Sequence, residues 1–71
     1  MNKDMMKGQW KQMKGEVKRR WGMLTDDELD QTEGSFEKLV GRIQERYGYE
    51  KFKAEQEIND FLNNYHAPAT R

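Results

Sequence analysis

Few side chains in this 71-residue sequence can do chemistry. There is no cysteine, which removes thiol nucleophiles, disulfides and thiolate metal ligands together. The one histidine, His66, opens the stretch His66-Ala67-Pro68-Ala69-Thr70-Arg71, which reads as a flexible C-terminal tail. A general base needs a partner and a sheltered site, and a tail supplies neither. Ser35 has no histidine near it in sequence and suits the start of a helix. Asp26, Asp27, Glu28 and Asp30 are dense enough to suggest calcium, but they lack the alternating acidic order and fixed glycine of an EF-hand loop. They read better as the first turn of a helix, where the dipole favours negative charge. The expectation is therefore a protein that is not an enzyme, with no catalytic residue, no metal and no cofactor.

Binding chemistry is better supplied. Lys7, Lys11, Lys14 and Lys18 follow one another at spacings of four, three and four, which puts four ammonium groups on one flank of a helix. Such a flank could meet phosphates or anionic lipid heads. The alternative is a solvated flank paired with the rest of the chain, and the charge distribution favours it. Residues 1–24 carry seven basic and two acidic side chains, a balance of +5, and residues 25–71 carry six and eleven, a balance of −5. Nucleic-acid binding is expected to be weak and non-specific at most. Gly48-Tyr49-Glu50, with Ala54 following, has the outline of a phosphate-binding hairpin turn. Its second glycine is replaced by Glu50, whose carboxylate repels phosphate, so the turn is read as structural.

Four helices must position these residues. Met6, Trp10, Met13, Val17, Trp21 and Leu24 form one apolar stripe, which predicts a helix over roughly 4–21 with Asn2 as cap and Gly22 as stop. Thr25 and Glu28 form a capping box, and Leu24 and Leu29 have the spacing of a hydrophobic staple, so a short helix follows over about 26–32. Phe36, Leu39, Val40, Ile43 and Tyr47 predict a third helix over about 35–47, closed by Gly48. Ala54, Ile58, Phe61, Leu62 and Tyr65 predict a fourth over about 50–65, and Pro68 forbids its continuation.

An internal repeat organises the four. Shifted by 26 residues, GQWKQMKGEVKRRWG (8–22) lies on GSFEKLVGRIQERYG (34–48), and glycines, apolar positions and Arg20/Arg46 coincide. The fold class expected is all-α: two αα-hairpins, a pseudo-duplication, each too small to bury its apolar face alone. The expected core is Trp10, Met13, Val17, Trp21, Leu24, Leu29, Phe36, Leu39, Val40, Ile43, Tyr47, Ala54, Ile58 and Phe61. Residues 1–65 should form a single domain, with 66–71 as the tail. Gly15 and Gly41 fall mid-helix, off the apolar stripe, where each costs about 1 kcal/mol against alanine. Close packing of another element on that face is the reading preferred.

Composition agrees with a small globular body. Hydrophobic residues make up 34% and charged residues 37%, with mean hydropathy −1.28. No apolar run exceeds two residues, so no transmembrane segment is expected, and the first ten residues lack the apolar core of a secretory signal. A cytoplasmic monomer is expected. Aromatics at 11%, set in periodic stripes, argue against a disordered chain.

Taken together, GQWKQMKGEVKRRWG, LTDDEL, LVGRIQERYGY and AEQEI resemble the CsbD-like family of small bacterial proteins, over about residues 2–62. Met13 and Met23 stand where the family commonly has an aromatic and a lysine, and the tail after Leu62 is idiosyncratic. The resemblance implies a role in the general stress response and two roughly orthogonal α-hairpins, similar to SAM-like domains or a duplicated helix-hairpin-helix. It carries no catalytic or binding residue, because the family's activity is unassigned. Three mechanisms follow. The chain is an interaction module for an unknown protein partner, a weak nucleic-acid-associated protein using the lysine flank, or an abundant hydrophilic protectant.

Overall fold

The computed structural model describes residues 3–65. Asn2, His66, Pro68 and the predicted tail lie outside the described residues. Helices α1 (Lys3–Gly8), α2 (Trp10–Arg20), α3 (Asp26–Thr32), α4 (Phe36–Tyr47) and α5 (Lys51–Asn64) make the fold all-helical, with no strand among the described residues.

There are five helices rather than four because the first predicted helix is broken at Gln9, whose φ of −112° and ψ of 17° leave the helical region. The chain resumes at once. The Gln9 N–H donates to the Met5 carbonyl at 2.9 Å, and the Gln9 carbonyl accepts from Gln12 and Met13 at 3.1 and 3.0 Å. The break follows Gly8, a poor helix former, and sits beside the α3–α4 turn. That turn is built from two left-handed residues, Glu33 (φ 54°) and Gly34 (φ 77°). A Cβ on Gly34 would lie 2.7 Å from the Lys7 Cα and 3.1 Å from the Trp10 Cβ. Glycine is therefore required there by both conformation and contact.

The other ends follow local chemistry. Thr25 Oγ1 accepts from the Glu28 N–H at 3.1 Å while Glu28 Oε1 accepts from the Thr25 N–H at 3.0 Å, completing the capping box. Leu24 and Leu29 on either side of it are both buried. Ser35 Oγ caps α4 by accepting from the Lys38 N–H at 3.3 Å, and Gly48 ends that helix at φ 71°. Glu50 precedes α5 without a side-chain cap.

α3 and α5 both pack on α4, α1 lies against α2 and α4, and α2 lies against α3. Twelve of the expected core residues are buried with Met6 and Leu62, and the Trp10 indole N–H is satisfied by the Leu29 carbonyl at 3.0 Å. Tyr47 and Phe61, expected inside, are only partly buried. Tyr47 turns its hydroxyl out to accept from the Met23 N–H at 3.2 Å, and Phe61 forms a ring contact at the surface with Tyr65. The preferred reading of Gly15 and Gly41 is also corrected. A Cβ built on either meets nothing within 4 Å, so no other element packs closely on these glycines.

Candidate binding surfaces of helix α2

The break at Gln9 puts Lys7 on α1 and the other three lysines on α2. Lys14 is ion-paired with Asp30 of α3. Lys18 is half-buried and donates to the Leu24 carbonyl at 2.7 Å, which fastens the α2–α3 connection. Lys7 and Lys11 are exposed and have no hydrogen-bond or ion-pair partner among the described residues. The structure thus divides the predicted anion-binding flank into two lysines that hold the fold and two that face solvent. The Tyr49 ring of the proposed hairpin turn packs on Tyr47 at 5.6 Å and lies under the Lys53 ammonium at 4.6 Å. Glu50 beside it is exposed.

A feature the sequence reading missed lies on the opposite flank of α2. An open groove of about 600 Å³ separates α2 from the C-terminal half of α5. Gly15, Phe61 and Tyr65 line it with Gln12, Glu16, Arg19 and Asp60. The helices meet at one end, where Arg20 pairs with Glu57 at 2.7 Å and the Trp21 and Phe61 rings stand 5.4 Å apart. Beyond that they diverge, and Gly15 leaves the floor open. The walls carry both signs: Arg19 pairs with Glu16 at 3.0 Å, and Asp60 makes no ion pair among the described residues. The signal for the groove was the mid-helix glycine off the apolar stripe.

The family model described as CsbD-like matches residues 4–56, from α1 into the first part of α5. The chain belongs to the CsbD-like family. A UPF0337 protein of Pseudomonas aeruginosa is 57% identical over 61 residues, covering 86% of this chain and 94% of that protein. One from Pectobacterium atrosepticum is 55% identical over 65 residues, covering 92% of this chain and 94% of its own length. The UPF0337 protein YjbJ of Escherichia coli K12 is 57% identical over 61 residues, covering 86% and 88%.

In this CsbD-like chain Glu28 ties α3 to α4. The Glu28 side chain, 10% exposed, accepts from Arg46 Nε at 3.1–3.2 Å and Nη2 at 2.8 Å, and lies 3.5 Å from Arg42. Arg46 foremost, and the Thr25 N–H after it, hold the carboxyl at about 2 against an ordinary 4.5. Pairing with Glu28 in turn raises Arg46. Arg42 also donates to Gln31 at 2.7 Å, so α4 is clamped to α3 by two guanidinium groups. Among the described residues no group of three or more acidic, histidine or cysteine side chains is placed to hold a metal ion. No described helix is long and apolar enough to cross a membrane.

Proposed function

We propose that this chain is a non-enzymatic interaction module of the bacterial stress response, working in the cytoplasm, which takes a helix of a partner protein along the α2–α5 groove. One observation carries the reading. Gly15 stands mid-helix, costs about 1 kcal/mol against alanine, and has nothing within 4 Å of where its Cβ would be. Its missing side chain serves no internal contact, but it would let a partner helix approach closely between Phe61 and Tyr65. The stress role rests on the family resemblance.

The same reading treats residues 1–65 as one monomeric domain of two αα-hairpins, α2–α3 and α4–α5, related by the 26-residue repeat. Reciprocal contacts support it. Arg20 and Trp21 close the first copy and reach Glu57 and Phe61 of the second. Their counterparts Arg46 and Tyr47 close the second copy and reach Glu28 and Met23 of the first.

The test is Gly15→Leu, which fills the groove and improves helix propensity, so a lost partner cannot be ascribed to unfolding. A protein cross-linked to the parent in stressed cells should be lost with Gly15→Leu and kept with Lys7→Gln/Lys11→Gln. Equal recovery with Gly15→Leu would overturn the groove assignment. The nucleic-acid reading keeps only Lys7 and Lys11 in its support.

A further inference from the structure

Helix α1 differs from the rest of the molecule in how it is held. Its described part spans six residues, and Met6 is the one buried side chain there. Its one ion pair among the described residues is Lys3–Glu37 at 3.6 Å, with both side chains more than half exposed, and such pairs are weak and screened by salt. The Lys3 ammonium also lies 4.5 Å from the centre of the Phe36 ring. Isolated helices this short do not persist in water, so α1 exists as a helix only while it is docked.

The junction with α2 is correspondingly loose. Gly8 ends α1 with nothing within 4 Å of a built Cβ. Gln9 departs from helical geometry, caps α2 with no side-chain bond, and buries its Oε1 without a hydrogen-bond partner. Immediately beyond the junction the structure tightens: Trp10 is buried and its indole N–H is bonded to Leu29. α1 meets the α3–α4 turn through the Lys7 backbone, which lies against Gly34, and through Lys3, whose ammonium lies over the Phe36 ring.

We infer that α1 is a detachable strap, hinged at Gly8–Gln9, that lifts as one unit from the α3–α4 turn and uncovers Gly34 and the Phe36 ring while α2–α5 stay folded. Raised ionic strength favours opening, because it screens Lys3–Glu37 and leaves the apolar core of the body intact. This device is independent of the α2–α5 groove.

Amide hydrogen exchange on the full chain, read residue by residue by NMR, tests it. The Lys7, Gly8 and Gln9 amides should exchange at one common rate, at least about tenfold faster than Met13 and Val17. The Trp10 indole N–H should keep the protection of the body, which separates strap opening from fraying that runs on into α2. Met6→Ala should accelerate those three amides alone. Gly8→Ala, which meets no neighbour, should slow them by stiffening the hinge. If the three amides share the protection of Met13 and Val17, or if Met6→Ala lowers protection throughout the chain by one factor, α1 belongs to the cooperative body and the inference fails.

Discussion

Trp21→Ala should be severely destabilising. Trp21 is 2% exposed and caps α2, its N–H donating to the Val17 carbonyl at 2.8 Å and its carbonyl accepting from Leu24 at 3.1 Å. Its ring meets Phe61 at 5.4 Å with an interplanar angle of 60°, and the Arg20 guanidinium lies 5.5 Å from its centre. Truncation therefore opens a cavity at the point where α2 touches α5, and also removes a tilted aromatic pair. Large-to-small changes of this kind cost about 3–5 kcal/mol. A chain of this length has roughly 5 kcal/mol of stability. Each kcal/mol is worth about 4–8 °C of melting temperature in a domain this small, so the midpoint should fall by at least roughly 12 °C, and a loss at the upper end of the range would leave much of the protein unfolded at room temperature. Far-UV circular dichroism against temperature is the assay, with Phe52→Ala as control. Phe52 is 66% exposed on α5, and its truncation should stay within about 0.5 kcal/mol of the parent. A Trp21→Ala midpoint within about 4 °C of the parent would mean that Trp21 does not hold α2 to α5, and the description of the core would be wrong.

Glu28 makes stability depend on acid in a defined window. Its folded value of about 2 lies below the ordinary 4.5, so its stabilisation is complete above pH 4.5 and is lost as pH falls through 2. Urea midpoints measured down that range should fall in the parent more steeply than in Glu28→Gln. Parallel acid limbs would rule out Glu28 as the source. For duplex DNA at low salt, two free lysines predict a slope of log K on log salt of roughly −1.8, about a tenfold loss between 50 and 200 mM. Fluorescence anisotropy should find that loss, and Lys7→Gln/Lys11→Gln should abolish the binding. A slope near −3.6, the value for four phosphate contacts, would mean that Lys14 and Lys18 leave Asp30 and Leu24 to bind DNA.

The parts of the fold that were legible in sequence are those decided within a few residues. Thr25 and Glu28 announce α3 because a capping box closes over three residues, and Gly48 announces the end of α4 because only a left-handed residue can turn the chain there. The break at Gln9 was hidden because Met6, Trp10 and Met13 stay on one buried side across it. Tertiary partners were hidden for a different reason. Glu28 reads locally as a cap, and nothing near it shows that Arg46, 18 residues away, will share its carboxylate. The lysine spacing predicted four ammonium groups on one flank of the first helix, but the partners that engage Lys14 and Lys18 come from α3 and the turn before it. Gly15 was conspicuous by its cost alone. Whether a neighbour fills the space beside it is a matter of how α2 and α5 diverge, which apolar spacing does not encode.

The reciprocal contacts between the two halves have a consequence for assembly. Arg20–Glu57, Trp21–Phe61, Arg46–Glu28 and Tyr47–Met23 each join a residue before Gly34 to one after it. Two chains that traded their second halves would rebuild every one of these contacts between molecules, which is the condition for domain swapping. The turn itself joins the two parts. Glu33 and Gly34 reverse the backbone in the left-handed region, with Gly34 pressed against Lys7. An exchanged dimer would match the monomer at these contacts and differ from it in the short connection between Thr32 and Phe36.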